Sequence, residues 1–94
     1  MLKGFLGYNS VNKSVPDTDK YGNIRWYIKV EGGTRLHRED GAAVELVNGY
    51  RAWYLEGYCL YELSHYGEAS SLTKIPKSLK QSIVIETLKL QADE

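Results

Sequence analysis

His37, Glu39 and Asp40 fall within four positions of one another, and His65 and Cys59 are the other residues whose types could join them in chemistry. Read as a metal centre, the set is short: a zinc site needs three or four ligands, and only His65 and Cys59 remain to complete one. Read as general acid-base groups, the same residues lack a nucleophile, because no nucleophile motif surrounds Cys59 and a buried thiol on a strand is the commoner arrangement. Turn chemistry accounts for the cluster better. Asp40 followed by Gly41 suits a tight turn in which the Asp side chain accepts backbone N–H groups, while His37 or Arg38 braces the next hairpin. No glycine-rich loop precedes a helix, so no phosphate cradle is expected, and the reading is of a chain without catalysis, metal or cofactor.

Binding chemistry is more prominent. Eight tyrosines in 94 residues are the one departure from an average globular composition, and two of them directly follow the tryptophans, at Tyr27 and Tyr54. If Trp26 and Trp53 point into a core, Tyr27 and Tyr54 must point the other way, beside Arg25, Lys29 and Arg51. Tyrosine with arginine is the composition of protein-binding hot spots. The expected partner-binding set is Arg25, Tyr27, Arg38, Arg51, Tyr54, Tyr58 and Tyr61. The competing reading is that cross-strand tyrosine pairs only stabilise a sheet surface, at roughly 0.2 to 1 kcal/mol each.

These side chains need strands to hold them. Ile24, Trp26, Ile28 and Val30 alternate with Arg25, Tyr27 and Lys29, the period-two pattern of a half-buried strand. Gly32 and Gly33 supply a turn, and 43–47 resumes the extended pattern. Asn48-Gly49 predicts a two-residue type I′ hairpin turn, with both central residues at positive φ, pairing 50–55 with 43–47. Glu56-Gly57 is a further turn, followed by a strand over 58–63. Tyr50, Tyr54, Tyr58 and Tyr61 are also spaced like one face of a helix, but the Asn-Gly signal and the aromatic enrichment favour strands.

The ends read differently. Residues 1–22 are dense in turn formers and predict an irregular arm, with Leu2, Phe5 and Leu6 tucked onto the core. Residues 67–75 predict a polar linker, and 76–92 a helix with Leu79, Ile83 and Leu90 on one face. Ser78 with Gln81 three residues on matches a capping box. Val84, Ile85 and Leu88 spread apolar surface round this helix, which is therefore buried on more than one side or meets a partner.

Sliding the chain on itself by 27 residues sets Gly22, Trp26, Tyr27 and Ile28 on Gly49, Trp53, Tyr54 and Leu55. Beyond the next turn the offset is 24, which sets Gly33 and Leu36 on Gly57 and Leu60. The chain reads as two copies of a strand-turn-strand unit, stacked so that Trp26 and Trp53 share one apolar layer. The run LHREDGAAVELVNGYRAWYLEG at 36–57 resembles the small MORN-like repeats of bacteriophage proteins, in which a His-Arg-x-Asp-Gly-Pro-Ala turn alternates with a Trp-Tyr-Leu strand. Ala42 departs from the proline of that pattern, and in the second copy the turn has become Tyr61-Glu62-Leu63-Ser64. The resemblance implies a small antiparallel β-meander, phage-encoded and without known catalysis.

The length fits one domain over 1–94 with a modest core. The fold class expected is mainly β (α+β): a small antiparallel β-meander of two hairpin repeats with a C-terminal helix. Twelve basic residues against twelve acidic ones leave no net charge, which argues against direct nucleic-acid or membrane binding. Residues 34–66 carry a local net charge of minus two, which favours a protein partner. One cysteine and no apolar leader predict a cytoplasmic setting, that of the host bacterium if the chain is phage-encoded. The expectation is a protein-binding module that binds and inhibits a host defence or DNA-processing protein, with self-association through a sheet edge or the spare helix face as an addition. The alternative is a small-molecule or nucleotide module using the aromatic and arginine face.

Overall fold

The alternation at 24–30 forms the strand on which the first half of the sheet is built. The computed structural model describes residues 13–70 and 75–92, so the expectation for Leu2, Phe5 and Leu6 lies outside the described residues. In chain order the elements are β1 (Val15–Thr18), β2 (Ile24–Val30), β3 (Gly33–Leu36), β4 (Val44–Glu45), β5 (Arg51–Leu55), β6 (Tyr58–Ser64), β7 (Gly67–Ser70) and α1 (Lys77–Ala92). All pairings are antiparallel, in the order β1-β2-β4-β5-β6-β7, with β3 also on β2. The mainly β meander of hairpins with one C-terminal helix is therefore the observed architecture.

Register explains how β2 serves three neighbours. Tyr27 pairs with Val15 of β1 and with Leu36 of β3, so these lie on opposite edges, while β4 pairs further back along β2, at Ile24 and Arg25. β3 and β4 thus share one edge of β2 in succession. The segment between them turns away and returns: His37 N–H donates to the Trp26 carbonyl at 2.9 Å, and Trp26 N–H donates to that of Ala43 at 2.8 Å.

The repeat is visible in the loops. Asp19 N–H donates to Asn23 O at 3.0 Å and Gly22 N–H to Asp19 O at 3.1 Å; 27 residues on, Leu46 N–H donates to Tyr50 O and Gly49 N–H to Leu46 O, both at 3.0 Å. Each is a three-residue loop ending in a glycine at positive φ, +95° at Gly22 and +97° at Gly49. This corrects the expected two-residue turn at Asn48-Gly49. Asn48 keeps a negative φ and its side chain accepts the Tyr50 N–H at 3.0 Å, an arrangement that needs only one left-handed residue. The tighter geometry appears instead at Glu56-Gly57, with φ +50° and +87°. The two loops also touch, since the Asn23 side chain accepts the Val47 N–H at 2.9 Å.

Two further expectations are corrected. Residues 15–18, inside the predicted irregular arm, form edge strand β1, where Pro16 faces Trp26 in register and its missing N–H costs no ladder bond. Residues 67–70, inside the predicted linker, form edge strand β7. Both strands are exposed throughout, so neither needed the apolar alternation that marks a half-buried one.

The core lies between one side of the sheet and α1. Trp53 and Leu79 are fully buried in it with Ala42, Leu60, Leu63 and Ile83, and Leu55, Tyr61, Ile75 and Leu90 pack around them. Trp53 donates its indole N–H to Ser82 Oγ at 3.0 Å, and Tyr61 meets its ring edge-on at 5.7 Å between centroids. The expected single layer of two tryptophans does not form. Register puts Trp26 on the same side of the sheet, but it is only half-buried, lies outside this cluster and is covered by the Arg38 guanidinium 4.0 Å from its ring centre. Its buried Nε1 has no partner among the described residues. The helix presents Leu79, Ile83 and Leu90 inward as expected. Its start differs: the Pro76 carbonyl accepts from Leu79 and Lys80 N–H, whereas Ser78 lies within the helix and donates its hydroxyl to Glu39 O at 3.3 Å. The capping-box reading fails because Pro76 already provides the first acceptor.

Candidate functional site

The 37–41 turn is a clamp built from its side chains. His37 is buried; its Nδ1 accepts the Glu56 N–H at 2.8 Å, which leaves the ring proton on Nε2, 3.2 Å from Glu39 Oε2. Arg38 N–H donates to Tyr54 O and Gly57 N–H to Leu36 O, so the end of the first copy holds the turn of the second at three points. The Arg38 side chain donates to Asp40 at 2.8 Å, Glu45 at 2.9 Å and the Ala42 carbonyl at 3.1 Å. Each side chain of this cluster thus has a partner within the turn or its neighbour, although Asp40 takes its hydrogen bond from Arg38 Nε rather than from backbone. Among the described residues no three His, Cys, Asp or Glu side chains are grouped to hold a metal ion.

The expected partner-binding residues do not form one surface. Register places Arg25, Tyr27 and Tyr54 on the side of the sheet away from α1, and Arg51, Tyr58 and Tyr61 on the helix side. Arg38 is locked in the clamp. Arg51 donates to the Leu46 and Tyr50 carbonyls and pairs with Glu86 of α1 at 3.4 Å. Tyr61 packs against the core and donates its hydroxyl to Glu68. Arg25 pairs with Asp19 at 3.6 Å, and Asp19 is held below the usual carboxylate range by the Asn23 side-chain amide first, then by backbone N–H groups and Arg25. Tyr58, 72% exposed at the tip of the β5–β6 hairpin, is the most exposed residue of the set.

Two features were not among the expected site residues. The outer face of α1 leaves Val84, Ile85 and Leu88 exposed at 57, 53 and 59%. On a helical wheel these lie together, with Lys80 on one flank and Lys89 on the other, all of them on the exposed surface. The sequence carried this signal in the apolar residues that did not fit the inner face.

The second feature lies on the opposite side of the sheet, where Tyr50 donates its hydroxyl to Glu62 Oε2 at 2.9 Å and the Cys59 thiol lies 3.7 Å from the same oxygen. Burial raises the Tyr50 phenol far above its ordinary pKa, and the Glu62 carboxylate raises it further. Burial likewise pushes up Cys59, with Glu62 the next cause, and Tyr54, with Cys59 the next cause. These groups are neutral at physiological pH, so Cys59 is a poor nucleophile there.

No family model, curated protein or solved structure matches the chain.

Proposed function

We propose that this chain is a non-enzymatic protein-binding module, a phage accessory protein that binds and inhibits a host defence or DNA-processing protein. The observation that carries the protein-binding reading is the outer face of α1, an apolar seam of Val84, Ile85 and Leu88 with lysines on both flanks. Burying such side chains is favourable by roughly 25 cal/mol per Å² of apolar surface removed from water. The flanking lysines select a partner whose apolar contact is edged by carboxylates. The phage and host parts of the reading are supported by the resemblance of residues 36–57 to phage MORN-like repeats. A nucleotide-binding role has less support, because Arg25, Arg38 and Arg51, the arginines of the expected set, each pair with a carboxylate of the fold.

The test is affinity capture of the tagged chain from bacterial lysate with mass spectrometry, comparing wild type with Ile85→Glu/Leu88→Glu and with Tyr27→Ala/Tyr54→Ala. The expected result is one stoichiometric partner that the helix variant loses and the tyrosine variant keeps. A partner retained by the helix variant overturns the assignment of this surface.

A further inference from the structure

Three carboxylates among the described residues are half-buried: Glu45, Glu62 and Glu86. Two of them meet a guanidinium, Glu45 that of Arg38 at 2.9 Å and Glu86 that of Arg51 at 3.4 Å. Glu62 meets none. Its Oε2 faces the Tyr50 hydroxyl and the Cys59 thiol, both neutral donors, and its Oε1 has no partner among the described residues. Partly buried charges are ordinarily paired, so the missing cation is the feature to explain.

The space beside Glu62 has matching chemistry. A depression of about 280 Å³ is lined by Tyr50, Glu62, Tyr66 and Glu68, with the small residues Ser64 and Gly67 leaving the room. Two tyrosines and the Glu62 carboxylate line it, while the Glu68 carboxylate turns to the Tyr61 hydroxyl on the helix side, and among the described residues no lysine or arginine lines it. Aromatic faces and carboxylates attract the same class of ligand, an organic cation with a delocalised or alkyl-shielded charge. Anions are repelled by both.

We propose that the depression formed by Tyr50, Glu62 and Tyr66 is a binding site for an organic monocation, a guanidinium or alkylammonium group. Glu62 supplies the charge and the free oxygen, and the rings of Tyr50 and Tyr66 supply flanking π surface. Two sources carry this chemistry: an Arg or Lys side chain of another protein, and a free amine. The site is on the side of the sheet away from α1, so it stands or falls independently of the helix surface.

The test is titration of the ¹⁵N-labelled full chain with acetyl-Gly-Arg-Gly-amide, acetyl-Gly-Lys-Gly-amide, methylguanidinium chloride and tetramethylammonium chloride, with sodium chloride at equal ionic strength as control. Saturable shifts of the Ser64, Gly67 and Ala69 amides are expected for the organic cations and not for sodium. Glu62→Gln, which keeps the shape and an acceptor for Tyr50, weakens binding at least tenfold. Tyr66→Ala, at a fully exposed position that does not hold the fold, weakens it about threefold. Peptides binding tenfold more tightly than the free cations assign the site to a protein side chain, and equal affinities assign it to a free amine. Shifts no larger than those with sodium, or unchanged by Glu62→Gln, overturn the proposal. Loss of captured protein in the α1 variant with these titrations intact would leave this site standing alone.

Discussion

The loops at 19–23 and 46–50 close with the same pair of backbone bonds, yet the tryptophans that follow them end in different surroundings. Trp53 is fully buried under α1 with its indole N–H on Ser82, whereas Trp26 is half-buried under Arg38 with its Nε1 unpartnered among the described residues. The difference lies in what covers each copy. A helix supplies Leu79, Ile83 and a hydroxyl to the second; among the described residues the first has the 37–41 turn, whose arginine closes over the ring as a cation on a π face. A repeat motif therefore fixes backbone and loop, while the burial of its aromatic residue is decided by whatever packs against it.

The largest effect that could break this comparison is truncation of the two rings. Trp53→Ala is expected to lose about 3 to 5 kcal/mol in urea denaturation, and Trp26→Ala roughly half of that or less. Equal losses would mean that the Arg38 cover is worth as much as the helix, and the contrast would fail.

A smaller effect tests the joint between the copies. His37→Phe keeps a ring in the buried site but removes the acceptor of the Glu56 N–H, at a cost of about 1 to 3 kcal/mol. Hydrogen exchange should speed most at Glu56 and Gly57. Unchanged exchange there would show that the second turn does not depend on the first copy.

The smallest effect sharpens the comparison on the other face, where the second copy has Tyr50 and Glu62 at positions that the 27- and 24-residue offsets match to Asn23 and Arg38. The folded pKa of Tyr50 is raised, so its contribution is fully present below the ordinary phenol value of about 10 and is lost as pH rises beyond it. Stability should decline on the alkaline side, and Tyr50→Phe should flatten that decline. An identical alkaline limb in Tyr50→Phe would remove Tyr50 as its cause.

How much of this was legible in the sequence follows from where each element is buried. β2, the β5–β6 hairpin and the inner face of α1 were readable because one side of each meets the core and leaves a period of two or of 3.6. β1 and β7 left no such trace, being exposed edge strands with no buried side to impose a period. The site was less legible. Alternation correctly separates Tyr27 and Tyr54 from the tryptophans, but it does not reveal that Arg38 and Arg51 are spent on Glu45 and Glu86. The isolation of Glu62 had one trace in the sequence, the charge reversal between positions 38 and 62 under the 24-residue offset.

The clamp at His37 also sets how far such a chain can grow. The first copy ends in a histidine that grips the turn of the copy after it, so an array built on this rule lengthens by whole units, each supplying the grip for its successor. At the matching position the second copy carries Tyr61, whose ring packs on Trp53 and whose hydroxyl turns to Glu68. That position therefore offers no imidazole to a third turn. Past Ser64 the chain reverses and returns antiparallel along β6 as the polar strand β7, which carries no tryptophan to begin a third copy.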